Sequence, residues 1–189
     1  VSKNNANIAR IKTLRQLYPD STIIVPFRDP LHHASSLLQQ HLNFLQIHSS
    51  DRFASEYMKA IGHYDFGQNL RPIDFDGWYD QRKSPDAKSL TFWLEYWIAS
   101  YQHLLNNDAR QVHFFNYDEL CKNPQIELKN LAEVLASSNP EALMSFASQI
   151  RHPRSREIDS SDLPASFLKD ANSIHAELNR EAFSFQEKL

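Results

Sequence analysis

At 189 residues, with 41% hydrophobic and 12% aromatic content, the chain carries enough apolar material to bury one core, which excludes a disordered polymer and favours a single domain over 1–189. Twenty Lys and Arg against 23 Asp and Glu leave a formal charge of −3, so the composition argues against a nucleic-acid partner, which would need a strongly basic face. One cysteine, Cys121, excludes a disulfide framework or cysteine-rich zinc site and agrees with a reducing, cytoplasmic setting, while no apolar run reaches the roughly 20 residues of a membrane helix and no signal peptide is visible.

In chain order, residues 5–17 read as a helix with Ile8, Ile11, Leu14 and Leu17 on one face, stopping near Pro19. Ile23 to Phe27 form a short apolar run of strand length. Asp29-Pro30 then supplies a helix N-cap and a first-turn proline, so Arg28 stands where the strand ends. A helix over 31–48 follows, with Leu31, Ala34, Leu38, Leu42 and Leu45 as its apolar stripe and His32, Ser36, Gln40 and Asn43 on another face. Residues 51–61, with Phe53, Tyr57 and Ile61, predict a third helix. The stretch 62–88 is longer than a simple connection needs and reads as a lid or substrate loop, with Gly62 and Gly67 as hinges around a polar and aromatic tip.

Residues 87–105 give the strongest helical signal, with Leu90, Trp93, Leu94, Trp97, Tyr101, Leu104 and Leu105 at helical spacing. That face is core, or else Trp93 or Trp97 lines an acceptor pocket or touches a base. Val112 to Tyr117 predict a second buried strand, Pro124 to Leu135 a helix with Leu128, Leu131 and Leu135 inward, and the part from Ser137 onward is helix-rich and polar. Arg151-His152-Pro153-Arg154-Ser155-Arg156 form a basic loop, either a solvated turn or an anion clamp.

The chemistry gathers at the first strand end. In open α/β sheets ligands sit outside the carboxyl ends of the strands, and the N–H groups of a following helix favour an anion. A guanidinium there and a hydroxyl eight residues later, Arg28 and Ser36, can both donate to one phosphate. The rival reading is an ordinary strand-to-helix turn with a surface arginine. No serine flanked by glycines and no His-Glu-x-x-His motif occurs, and the nine histidines lack the spacing of a metal site.

The run Lys3-Asn4-Asn5, Ala9-Arg10-Ile11, Leu14, Tyr18-Pro19-Asp20, Phe27-Arg28-Asp29-Pro30 and Ser36 resembles the PAPS-dependent sulfotransferases, particularly their bacterial branch. A second block, Phe114-Phe115-Asn116-Tyr117-Asp118-Glu119-Leu120 with Pro124, resembles a later strand and turn of the same family; together the likeness covers residues 3–136. It implies an α/β fold with a three-layer, mostly parallel sheet of the P-loop NTPase-like type, PAPS (3′-phosphoadenosine 5′-phosphosulfate) as cosubstrate, no metal, and a small-molecule or glycan acceptor. Arg28 and Ser36 match the pair that holds the 3′-phosphate, Tyr117 the adenine contact, and Lys3 a lysine facing the sulfuryl group. A cation there stabilises charge building on the leaving phosphate. Arg151 and Arg154 match, without its glycine, a basic segment that folds over the 3′-phosphate in other members.

Two departures qualify the likeness. The family's phosphosulfate-binding loop is absent, and the chain has only three glycines, so the sequence reads as the C-terminal part of a larger domain, inactive by itself. Asn5 and Asn7 stand where many relatives carry a basic histidine; His32 or His63 are the substitutes the sequence offers. The competing reading is a noncatalytic nucleotide-binding or interaction protein derived from the same fold.

Overall fold

The computed structural model describes residues 2–83, 86–151 and 157–186. Its helices are α1 (Ile11–Leu17), α2 (Pro30–Ser50), α3 (Arg52–Ala60), α4 (Trp78–Gln81), α5 (Leu90–Asn107), α6 (Tyr117–Lys122), α7 (Pro124–Val134), α8 (Pro140–Met144) and α9 (Ala165–Gln186), and its strands are β1 (Ile24–Phe27) and β2 (His113–Asn116). Helix makes up 67% of the structure, and the sheet among the described residues has two parallel strands. The expected three-layer, mostly parallel sheet is therefore corrected. Only two apolar runs have strand length, whereas the other apolar residues recur at helical spacing, so the chain's own pattern supports no third strand.

Local signals set the element ends. Asn4 accepts from the Ala6 N–H at 2.8 Å and opens a 3-10 turn over Asn5–Arg10, which replaces the first half of the expected helix over 5–17. Asp51 caps α3 through the Ala54 N–H at 3.1 Å. Proline occupies the first turn of α2, α7 and α8, where its missing N–H has no intrahelical partner to lose. Pro26, exposed within β1, has no N–H to give to the ladder and stands at a position whose nitrogen does not face β2.

The chain divides into two units. The first takes the described parts of 1–29, 104–157 and 173–189. Its core gathers Ile11, Phe27, Leu104, Phe114, Leu128 and Leu178, all nearly or fully buried. Here Ile24 pairs with His113 and Phe27 with Asn116, in parallel register. Arg15 of α1 ties the amino ends of both strands together: its guanidinium donates to the carbonyls of Ser21, before β1, and Gln111, before β2. Burial, helped by the Arg15 charge, keeps His113 below its ordinary pKa.

The second unit takes residues 30–103 and 158–172. Phe92, Trp93, Leu94, Trp97 and Tyr101 of α5 are almost wholly buried, so the aromatic face is core and neither tryptophan fronts an open pocket. Burying such a side chain contributes roughly 1.5–3 kcal/mol. Phe53, Tyr57 and Ile61 point outward at 76%, 51% and 57% exposure, and Phe53 stacks on Tyr57 instead. Leu135, expected inward, is also exposed.

The stretch after α3 is held at several points between Tyr64 and Trp78. Arg71 N–H donates to the Tyr64 carbonyl at 2.8 Å, Ile73 N–H to the Tyr96 hydroxyl at 3.2 Å, and the Trp78 indole to the Ile73 carbonyl at 2.8 Å. Gly62 and Gly67 both have positive φ, +74° and +73°. They differ in space. A Cβ at Gly62 meets nothing within 4 Å, but one at Gly67 lies 2.7 Å from His48 Nδ1 and 2.9 Å from Phe44 Cβ.

Two predictions follow from these contacts. Arg15→Ala leaves two carbonyls without their charged donor and lowers the urea-measured stability by about 1–2 kcal/mol; an unchanged midpoint refutes the clamp. Gly62→Ala bears only the backbone strain of about 1 kcal/mol, whereas Gly67→Ala adds the steric clash and melts at clearly lower temperature. Equal melting temperatures for the two variants contradict this account of Gly67.

Candidate functional site

The register that pairs Phe27 with Asn116 makes Arg28 and Tyr117 the first residues beyond the carboxyl ends of β1 and β2. The Arg28 guanidinium carbon lies 5.6 Å from the Tyr117 ring centroid, within cation–π range. Arg28 Nε is buried and has no hydrogen-bond partner among the described residues. Tyr117 keeps 38% of its surface exposed, so the pair presents a cation beside an open aromatic face.

Neighbouring contacts fix this edge. Asn116 caps α6, its side-chain oxygen accepting from the Asp118 and Glu119 N–H groups at 2.8 and 3.1 Å. Its amide donates to Asn179 at 2.7 Å, and Asn179 donates to the His175 carbonyl at 2.9 Å. Phe27 meets the His175 ring edge-on with centroids 5.7 Å apart. The Tyr117 hydroxyl is raised above its ordinary pKa, first by its hydrogen bond with Cys121 and then by burial, so it remains a neutral phenol in the physiological range.

One expectation is modified here. The Asp29 N–H donates to the Asp118 carboxylate at 2.6 Å, so a protein carboxylate occupies that donor. Anion binding at this edge therefore rests on the guanidinium more than on a free backbone cradle.

Lys3 is exposed in the extended segment before the first 3-10 turn, and Arg151 is exposed after Gln149. Arg154 lies outside the described residues. Ser36, in the second unit, donates its hydroxyl to the His32 carbonyl at 2.8 Å, so a phosphate must compete with that bond. His63 stacks on Phe44 at 5.5 Å, its Nδ1 buried, and sits 3.9 Å from Asp65.

Two clefts among the described residues are marked by neither sequence motif nor spacing. One, of about 280 Å³ in the first unit, is lined by Ile24, Phe115, Glu119, Asn130 and Glu127, and contains neither Arg28 nor Tyr117. Burial, together with the Glu119 charge, raises the Glu127 pKa. Its acidic lining suits no phosphate. The other, about 340 Å³ in the second unit, includes Phe75, Trp78, Phe167 and a His103–Asp76 contact of 2.9 Å. These two residues stand far apart in sequence, with no motif joining them.

Among the described residues, no group of three or more His, Cys, Asp or Glu is placed to hold a metal ion, and no helix is long and apolar enough to cross a membrane. Comparison with family models, curated proteins and solved structures gave no match.

The site geometry predicts that Asn116→Ala uncaps α6 and costs about 0.5–2 kcal/mol of stability by urea denaturation. A loss confined to a few tenths removes Asn116 from its positioning role.

Proposed function

We propose that the chain carries the 3′-phosphoadenosine-binding part of a PAPS-dependent sulfotransferase, which moves a sulfuryl group to a hydroxyl or amine acceptor on a small molecule or glycan. The observation that supports this reading most is the Arg28–Tyr117 pair at the ends of two adjacent parallel strands, a cation with a buried unpaired Nε beside an exposed ring. Such a pair suits one nucleotide by two complementary contacts, phosphate to guanidinium and base to aromatic face. The order of motifs from Lys3 to Pro124 adds to it. The role of Ser36 rests on its eight-residue spacing from Arg28 alone.

In the reaction as proposed, the acceptor oxygen or nitrogen attacks sulfur in line. The bond between sulfur and the bridging phosphate oxygen breaks, adenosine 3′,5′-bisphosphate leaves, and the acceptor proton passes to a base. Lys3 is the candidate cation for the charge that develops on the leaving phosphate. The base is unassigned, because Asn5 and Asn7 occupy the positions at which many relatives carry histidine. Those two asparagines favour the second reading, a noncatalytic nucleotide-binding or interaction protein derived from the same fold.

Nucleotide selectivity tests the site. In calorimetric titration, Arg28→Ala weakens adenosine 3′,5′-bisphosphate more than tenfold, corresponding to about 1.5–3 kcal/mol for a charged hydrogen bond, while AMP binding changes little. Equal losses for both nucleotides, or none, overturn the assignment.

A further inference from the structure

His41 and His48 are almost wholly buried, at 3% and 4% exposure, two turns apart on α2. Each receives a backbone hydrogen bond on the same ring atom: Gly67 N–H donates to His41 Nδ1 at 3.1 Å, and Gln68 N–H donates to His48 Nδ1 at 3.2 Å. A backbone N–H can only donate. Both Nδ1 atoms must therefore carry lone pairs, which fixes each ring as the neutral tautomer protonated at Nε2. Adding a proton to either Nδ1 sets two donors against each other and places a cation in a nearly dry site.

We propose that His41 and His48 form a proton-operated latch: as neutral acceptors they hold the Gly67–Gln68 turn against α2, and on protonation they release it. The turn is shaped for this contact. Positive φ and close approach leave room only for glycine at position 67, with Phe44 and His48 against its backbone. Phe44 also stacks with Phe66 and His63 at 5.9 and 5.5 Å, so the turn is held by ring packing as well as by the two imidazoles.

The electrostatic surroundings set the direction of the response. His41 contacts Trp93 of α5 at a centroid distance of 5.5 Å and feels Lys88, which opposes its protonation, and Asp86, which favours it. Burial is the largest effect, and the His41 pKa lies below its ordinary 6.5. The nearby titratable pair on the turn-bearing segment is His63 with Asp65, reached across Phe44. On α3, packed against α2, the charged Arg52, Glu56 and Lys59 are exposed to water; on α5, Glu95 accepts the Lys83 N–H at 2.9 Å.

The sign follows from proton linkage. A released His41 regains its ordinary pKa of 6.5, whereas the latched ring lies below it, so the open form binds more protons as pH falls. The latch is fully effective above that value and weakens below it. The coupled proton on His41 raises the open-to-closed ratio by up to about tenfold per pH unit. This device does not depend on the nucleotide reading, since none of its residues belongs to the strand-end pair.

Amide exchange on the intact chain tests it by NMR, with rates at Gly67 and Gln68 divided by their intrinsic values at each pH. As the pH falls from about 7.5 to about 5, protection at these two amides falls, by up to about tenfold per pH unit below 6.5, while that of β1 and β2 amides is kept. Ring nitrogen spectra of both histidines show an unprotonated Nδ1 at the higher pH, and its protonation coincides with the loss. A protonated Nδ1 in either ring at the higher pH, or protection unchanged on acidification, overturns the latch. In a His41→Asn, His48→Asn double variant, where a carboxamide oxygen accepts without titrating, the pH response disappears. Because the wild-type readouts stand by themselves, failure of that variant to fold leaves the test decisive.

Discussion

The parallel pairing of β1 and β2 is the constraint on which the candidate site depends. Two strands alone form a marginal sheet, and this one is fastened at both ends. At the amino end the Arg15 guanidinium spans the carbonyls that precede the strands. At the carboxyl end Asp118, just after β2, takes the Asp29 N–H just after β1. With both ends held, the register cannot slip by a residue, and Arg28 and Tyr117 emerge together. A one-residue slip would turn one of them to the opposite face.

The carboxyl-end fastening also uses a donor that an anion would want. Strand ends followed by helices concentrate N–H groups, and a folded chain must satisfy them whether or not a ligand is bound. Here Asn116 takes two and Asp118 takes a third. What is left for a ligand is the positive charge of Arg28 and the open Tyr117 ring, which is a narrower set of contacts than a glycine-rich cradle supplies.

Much of this edge was legible in the sequence. Apolar runs of strand length, the Asp-Pro step and the Asn-Tyr-Asp-Glu turn marked where β1 and β2 end, because local capping chemistry decides those positions. The extent of the sheet was not legible: it came from the family likeness, and the residues themselves carry only two strand signals. Helix faces were read well where burial is nearly complete, as for Trp93 and Leu94, and badly where it is not. Phe53 and Tyr57 keep helical spacing yet lie outside, since a stacked pair on the surface leaves the same periodic trace as a buried stripe. The roles of His41 and His48 were hidden for another reason. Their partners are backbone amides of a turn some twenty or more residues away, and a backbone amide has no sequence signature.

Pro26 limits how much of β1 a further extended segment can use. A two-stranded sheet presents outer rims along which another extended segment can align, and each main-chain donor on a rim is an invitation to do so. In a strand of four residues, a ring nitrogen without hydrogen interrupts that row near its centre. Together with the shortness of both strands, that interruption reduces the main-chain donors β1 can offer to a further strand while leaving the inner pairing intact.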